Sequence, residues 1–161
     1  MSQEPLTEAI QHYLREIYKL GQGREPVAVG ALARAQGVSA ASASAMVKKL
    51  TALDLAEHPP YRGVSLTPAG ERVALEVIRH HRLLELYLAE TLGVHVDDVH
   101  DEADRLEHVI SEELEARIDR ALGYPTHDPH GDPIPDAQLR WPGDRRTAAR
   151  AGRAARRGGR A

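Results

Sequence analysis

The sequence predicts a mainly α-helical fold: an N-terminal winged helix-turn-helix domain followed by an all-helical metal-binding and dimerisation domain. Three observations predict it. A short helix, a glycine turn and a second helix are followed at once by two short strands around a proline-rich turn. The helix after residue 67 carries apolar residues around most of its circumference, which a monomer of this size has few ways to bury and a dimer more. His and carboxylate residues then recur at one-turn spacing. At 161 residues, against about 150 for a typical domain, there is room for one domain or for two small ones sharing a dimer interface. The expected division is 1–66 for DNA binding, 67–135 for metal binding and dimerisation, and 136–161 as a basic, disordered tail.

Composition narrows the class. Apolar residues make up 42% and charged residues 28%, ordinary values for a chain with a real core. No run approaches the roughly 18 uninterrupted apolar residues of a membrane span. Met1–Ser2–Gln3–Glu4–Pro5 lacks the basic and apolar regions of a signal peptide. The absence of cysteine excludes a disulfide scaffold, a thiolate metal site and a cysteine nucleophile, and fits the cytoplasm. Phe is also absent, so the core must be built from Leu, Val, Ile and Ala. The net charge of −3 divides unevenly: +1 over 1–66, −10 over 67–135 and +6 over 136–161. Three such unlike regions argue against one uniform task.

The elements follow in order. Over residues 7–20, Ile10, Tyr13, Leu14, Ile17 and Tyr18 make one helical stripe, capped by Thr7 and ended by Gly21 and Gly23. His12 lies about 200° round from Ile10, where a solvated polar face alone would explain it. A short helix over Val29–Gln36 stops at Gly37, and Ser39 caps another that runs to Leu53. Ala40, Ala41, Ser42, Ala43, Ser44 and Ala45 keep that helix thin enough to approach a partner closely. Ser39, Ser42 and Ser44 offer hydroxyls to phosphate oxygens, and Lys48 and Lys49 add charge; an Ala/Ser-rich packing helix is the alternative. Leu55–Glu57 and Val64–Leu66 read as strands around Pro59–Gly63, which completes a winged helix and puts Arg62 at the wing tip, within reach of DNA. Thr67 and Pro68 then open a helix over 68–92. A further helix is expected over 99–122, stopped by Gly123–Tyr124–Pro125, and residues 127–135 form a proline-fixed loop.

The chemistry gathers on these last two helices. His100, Asp104, Glu107 and His108 span about 100° of one face of the 99–122 helix, while Leu106, Val109 and Ile110 occupy the other. His81 and Glu85 form an i, i+4 pair on the preceding helix. Without thiolates, such groups favour divalent ions that accept oxygen and imidazole nitrogen: Mn²⁺, Fe²⁺, Co²⁺ or Zn²⁺. A charged outer face with intrahelical pairs is the competing explanation. No His-Glu-x-x-His and no nucleophile–base arrangement is present, which disfavours a hydrolase.

At these residues the sequence resembles a known family. The segment from Val99 to Ser111 (VHDEADRLEHVIS), with His12–Tyr18, His81–Glu85 and Gly131–Pro135, is similar to the iron- and manganese-dependent repressors of the diphtheria toxin repressor and manganese transport regulator family. The resemblance covers residues 7–135, and the wing Tyr61–Arg62–Gly63 looks closest to the manganese branch. It implies one site from His12, Asp104, Glu107 and His108 and a second from His81, Glu85 and His100, sharing groups through bridging carboxylates. Asp104 stands where iron-responsive members have cysteine, and this harder ligand favours Mn²⁺. His12 stands where the branches have methionine or a carboxylate, and an added imidazole also suits Fe²⁺ or Zn²⁺. Arg15 replaces a carboxylate of the manganese branch, so a manganese pair of that geometry is expected to be lost or rearranged. Many iron-type relatives continue into a small SH3-like domain; here the sequence turns Arg-rich instead.

The resulting expectation is a cytoplasmic, metal-activated repressor rather than an enzyme. It would bind double-stranded operator DNA as a homodimer, with Mn²⁺ or alternatively Fe²⁺ as cofactor, Zn²⁺ or Co²⁺ as substitutes, and neither membrane nor organic cofactor. A winged-helix regulator responding to an organic ligand is the alternative; it would leave the His/carboxylate face unexplained.

Overall fold

The computed structural model describes residues 6–144. Its elements are α1 (Glu8–Leu20), α2 (Val29–Gln36), α3 (Ala40–Ala52), β1 (Ala56–Glu57), β2 (Ser65–Leu66), α4 (Pro68–Glu90), α5 (Val99–Leu106) and α6 (Glu112–Ala121). The fold is mainly helical, with a winged helix-turn-helix head and a helical body. None of the helices is long and apolar enough to cross a membrane among the described residues.

In the head, the Thr7 hydroxyl accepts from the Ile10 amide at 3.3 Å to start α1. That helix buries the expected stripe of Ile10, Tyr13, Leu14 and Ile17. Gly37 turns the chain between α2 and α3 at φ +64°, a left-handed conformation that favours glycine. Ser39 caps α3, which buries Ala43, Val47 and Leu50. In the wing, β1 and β2 pair antiparallel with Ala56 opposite Leu66, and a bridge between Val27 and Val64 ties its base to the head.

α4 belongs to both halves. Its first turns put Ala74, with Ala69 and Val73, into the head core. Its later turns supply Leu84 and Leu88 to a second core with Val99, Ala103 and Ile118, and Leu83 and Leu86 to a third with Ile134. Each fully buried leucine contributes about 1.5–3 kcal/mol relative to exposure. Entry into α4 depends on Gly70, where a Cβ would lie 1.9 Å from the Leu55 carbonyl oxygen.

Three expectations need correction. The single helix over 99–122 is two, α5 and α6, joined through Glu107–Ser111. Val109 and Ile110 donate to Leu106 O at 3.1 and 3.2 Å in closing turns. Ser111 then caps α6 from the Leu114 amide, and Glu112, Glu113 and Glu115 follow in its first turn, where negative charge stabilises a helix start. Consequently Leu106 and Val109 are 38% and 72% exposed rather than packed; of that trio only Ile110 reaches the core. α4 also stops at Glu90, leaving Leu92 exposed. Finally, 136–144 form hydrogen-bonded turns. Asp136 accepts from the Gln138 and Arg140 amides, Trp141 Nε1 donates to the Tyr18 hydroxyl at 2.9 Å, and Arg82 lies over the Trp141 ring. The rest of the expected tail, 145–161, lies outside the described residues.

Candidate metal centre and nucleic-acid interface

Side chains from α1, α4, α5, the turn after α5 and the 127–135 loop gather in neighbouring clusters. Among the described residues they form three groups of potential ligands: His12, Glu107 and His108; His81, His100 and Asp104; and Glu85, Asp128 and His130.

The first group spans the two halves. His12 projects from α1, the polar face predicted for it, while Glu107 and His108 occupy the turn after α5. The Nε2 atoms of His12 and His108 face each other at 2.7 Å, and Glu107 Oε1 lies 3.1 Å from His108 Nε2 and 3.5 Å from His12 Nε2. Gln11 sets the orientation. Its amide nitrogen donates to Leu6 O, so its oxygen accepts from His108 Nδ1 at 2.8 Å. Burial lowers the His108 pKa from the ordinary histidine value, which favours the neutral ring. Its Nε2 then presents a lone pair toward His12.

Glu107 is 1% exposed. Burial opposes its charge, but hydrogen bonds from His12 and His81 and the nearby Arg15 prevail and hold the carboxyl at about 2. Arg15 Nη1 donates to Glu107 Oε1 at 2.7 Å and lies 3.5 Å from Asp104 Oδ1.

The second group forms around His81. Its Nδ1 is 2.5 Å from Glu107 Oε2 and 3.3 Å from Asp104 Oδ1, and its Nε2 is 3.1 Å from His100 Nδ1 and contacts Glu85 Oε1. Burial pushes the His81 pKa down, but hydrogen bonds to Glu107 and Glu85 override it and raise the imidazole to about 9. Asp104 thus gathers with His81 and His100 rather than with His12 and His108, while Glu107 touches both groups.

The third group was not read from the sequence. His130 Nδ1 lies 2.9 Å from Glu85 Oε2. Asp128 fixes the loop by accepting the His130 and Asp132 amides with Oδ1, while its Oδ2 lies 3.8 Å from His130 Nδ1. The available signal was two chelating side chains two residues apart in a proline-fixed loop. Gln11 gave none, because only the fold brings it to His108.

These donors fit a divalent cation. The oxygens Glu85 Oε2 and Asp104 Oδ1 are buried without a hydrogen bond, although imidazole nitrogens lie 2.9 and 3.3 Å away. In each group the ligand atoms all lie within 4.8 Å of one another. With bonds of about 2.1 Å, neighbouring ligands of an octahedral ion stand about 3 Å apart.

The predicted nucleic-acid residues are all exposed. Ser42, Ser44, Lys48 and Lys49 are on α3 and Arg62 is on the wing. Ser39 is also exposed, but its oxygen is engaged as the α3 cap and pairs with Ser42 Oγ at 3.0 Å. Tyr61, read in the sequence only as part of the wing motif, stands fully in solvent beside Arg62 with φ +59°.

A winged helix-turn-helix head joined to a helical body through a His/carboxylate centre is the architecture of metal-dependent DNA-binding regulators. Two family profiles match: iron dependent repressor, N-terminal DNA binding domain, over residues 5–64, and iron dependent repressor, metal binding and dimerisation domain, over 67–136. The chain belongs to the iron-dependent repressor family. It is 37% identical over 131 residues to a diphtheria toxin repressor of Corynebacterium efficiens, covering 81% of this chain and 56% of that protein. It is 35% identical over 130 residues to the iron-dependent repressor IdeR of Mycobacterium tuberculosis, with the same two coverages. The chain therefore spans little more than half the length of these relatives. A solved manganese-dependent transcriptional repressor in complex with manganese is 46% identical, with a TM-score of 0.75 over 83% of this chain and 61% of that one.

Proposed function

We propose that the chain is a transcriptional repressor that binds operator DNA as a homodimer in response to Mn²⁺ or Fe²⁺, acting in the cytoplasm as a regulator rather than an enzyme. The observation that carries this reading is the His12–Glu107–His108 group, which takes one ligand from the head and two from the body. A bound divalent ion supplies positive charge and coordination to imidazole nitrogen and carboxylate oxygen. His12 would then be tied to Glu107 and His108, fixing α1 and with it α3 against the body. His81, His100 and Asp104, and Glu85, Asp128 and His130, are the further ligand groups. Asp104 and the five imidazoles of the three groups suit Mn²⁺ and Fe²⁺ alike, and Zn²⁺ or Co²⁺ as substitutes.

For the DNA, Ser39, Ser42, Ser44, Lys48 and Lys49 would meet the phosphate backbone and major groove, and Arg62 the backbone or minor groove. In a homodimer a fixed head sets the distance between two α3 helices at about 34 Å, one turn of B-DNA. Ligand at about 100 times its Kd shifts such a balance by about 2.7 kcal/mol, roughly a hundredfold in DNA affinity. The body's −10 repels phosphate, and bound cations offset part of it.

The test is DNA binding by the full chain in Mn²⁺ and in EDTA. Tighter binding in Mn²⁺, lost in a folded His108→Ala variant, is the expected result. Equal affinity in both conditions overturns the reading.

A further inference from the structure

We infer that His80 is a positioning residue of the metal centre: from α4 it holds the peptide that joins Glu107 to His108, and Glu115 of α6 in turn holds His80. This rests on the proposed metal reading and goes beyond its ligands, since His80 belongs to none of the three ligand groups among the described residues. His80 and His81 are neighbours on α4, and each takes hold of a different part of Glu107. His81 Nδ1 meets the side-chain oxygen Oε2 at 2.5 Å. His80 Nδ1 lies 3.2 Å from the main-chain oxygen of the same residue. A carbonyl only accepts, so that nitrogen carries the hydrogen and donates. Glu107 ends α5, and the last carbonyls of a helix have no partner within it; His80 supplies one.

The place of that oxygen is what gives the bond its reach. It belongs to the planar peptide between Glu107 and His108, so holding it restrains both ligand residues at once. His80 is itself held. Its Nε2 pairs with Glu115 Oε2, and the other Glu115 oxygen accepts from Arg79 Nε. Arg79 is buried and also donates to Asp119 Oδ2 and to Pro135 O, each at 2.9 Å. Both ring nitrogens of His80 are thus engaged, and its side chain is only 16% exposed, which leaves the ring one orientation. The bonds run from α6 and the end of the proline loop, through Arg79 and Glu115, to the ligand peptide. Partners of this kind orient ligands without touching the metal.

The experiment is a Mn²⁺ titration of the full chain and of three variants, with circular dichroism and the thermal midpoint in EDTA recorded for each. His80→Asn keeps an amide nitrogen near the place of Nδ1, where it can donate to Glu107 O. His80→Gln carries its amide further out, toward Glu115, and loses that bond. His80→Ala loses both. The expected result is an affinity about 10–100-fold weaker in His80→Ala and His80→Gln, and close to the parent's in His80→Asn, whatever the order of the midpoints. A merely structural role would instead make affinity follow the midpoint. Where His80→Ala does not fold, the other two variants decide. Parent affinity in a folded His80→Gln overturns the inference, as do equal losses in His80→Asn and His80→Gln. Failure of the underlying metal reading has a different signature, namely a parent chain whose Mn²⁺ uptake is the same with and without His108→Ala.

Discussion

Glu107 has almost no exposed surface and touches imidazoles from α1, α4 and its own turn, together with Arg15. His81, lying between Glu107 and Glu85, is raised to about 9, so in the metal-free chain it carries a proton at neutral pH. Because its folded pKa lies above the ordinary histidine value of 6.5, the proton stabilises the metal-free fold fully below pH 6.5, and this contribution is lost as pH rises toward 9. A ligand must be deprotonated, so Mn²⁺ uptake should release a proton and its apparent affinity should climb over the same range. Titration calorimetry in buffers of different ionisation enthalpy checks this; heats independent of buffer would contradict it. Glu107 works in the opposite direction: its stabilisation is present above the ordinary glutamate value of 4.5 and disappears as pH falls through about 2. Gln11 acts on the same centre by holding the His108 ring. Gln11→Leu removes the acceptor for Nδ1, and loss of such an outer partner costs about 10–100-fold in metal affinity. Mn²⁺ titration against the parent measures it, and unchanged affinity would show that the ring is held otherwise. Of these residues, His81, Glu85, His100, Asp104, Glu107 and His108 stood out in the sequence because their spacing falls on helix faces, whereas His12 stood out only through the family resemblance. Gln11 did not, because a glutamine beside a histidine is ordinary until a turn from 97 residues away meets it.

At the scale of elements, periodicity and caps account for most of what was legible. Thr7, Ser39 and Thr67 each cap the helix expected of them, and the wing falls between the expected strands. The break between α5 and α6 was missed because no glycine or proline marks it. The marker was Ser111 followed by acidic residues, a helix start lying inside a continuous helical pattern. Glu107 still closes the last turn of α5 in helical conformation, its amide donating to Ala103 O at 2.9 Å, so the break leaves it on the face the spacing predicts. The proline loop escaped as a ligand source because an irregular segment has no periodicity to place Asp128 and His130. α4 carries strain-sensitive geometry at its entry. Gly70→Ala would drive a methyl group into the Leu55 carbonyl and should destabilise the chain by about 3 kcal/mol or more. Thermal unfolding checks this, and an unchanged midpoint would mean that α4 can move away from the wing at little cost.

For the whole molecule, head and body meet along α1 and α4, at the Arg15–Glu107 pair, and through Trp141, which packs on Tyr18 from beyond the body. Between the ligand atoms themselves, His12 Nε2 and His108 Nε2 stand at hydrogen-bonding distance, 2.7 Å, the place a shared cation would take. The central claim is that an ion fastened there holds the reading head to the body. Anomalous diffraction at the manganese edge from crystals of the Mn²⁺-loaded chain tests it most directly. The expected result is a peak bonded to His12 Nε2, His108 Nε2 and Glu107. A loaded structure in which His12 turns away to solvent, with no ion linking it to Glu107 and His108, would contradict it.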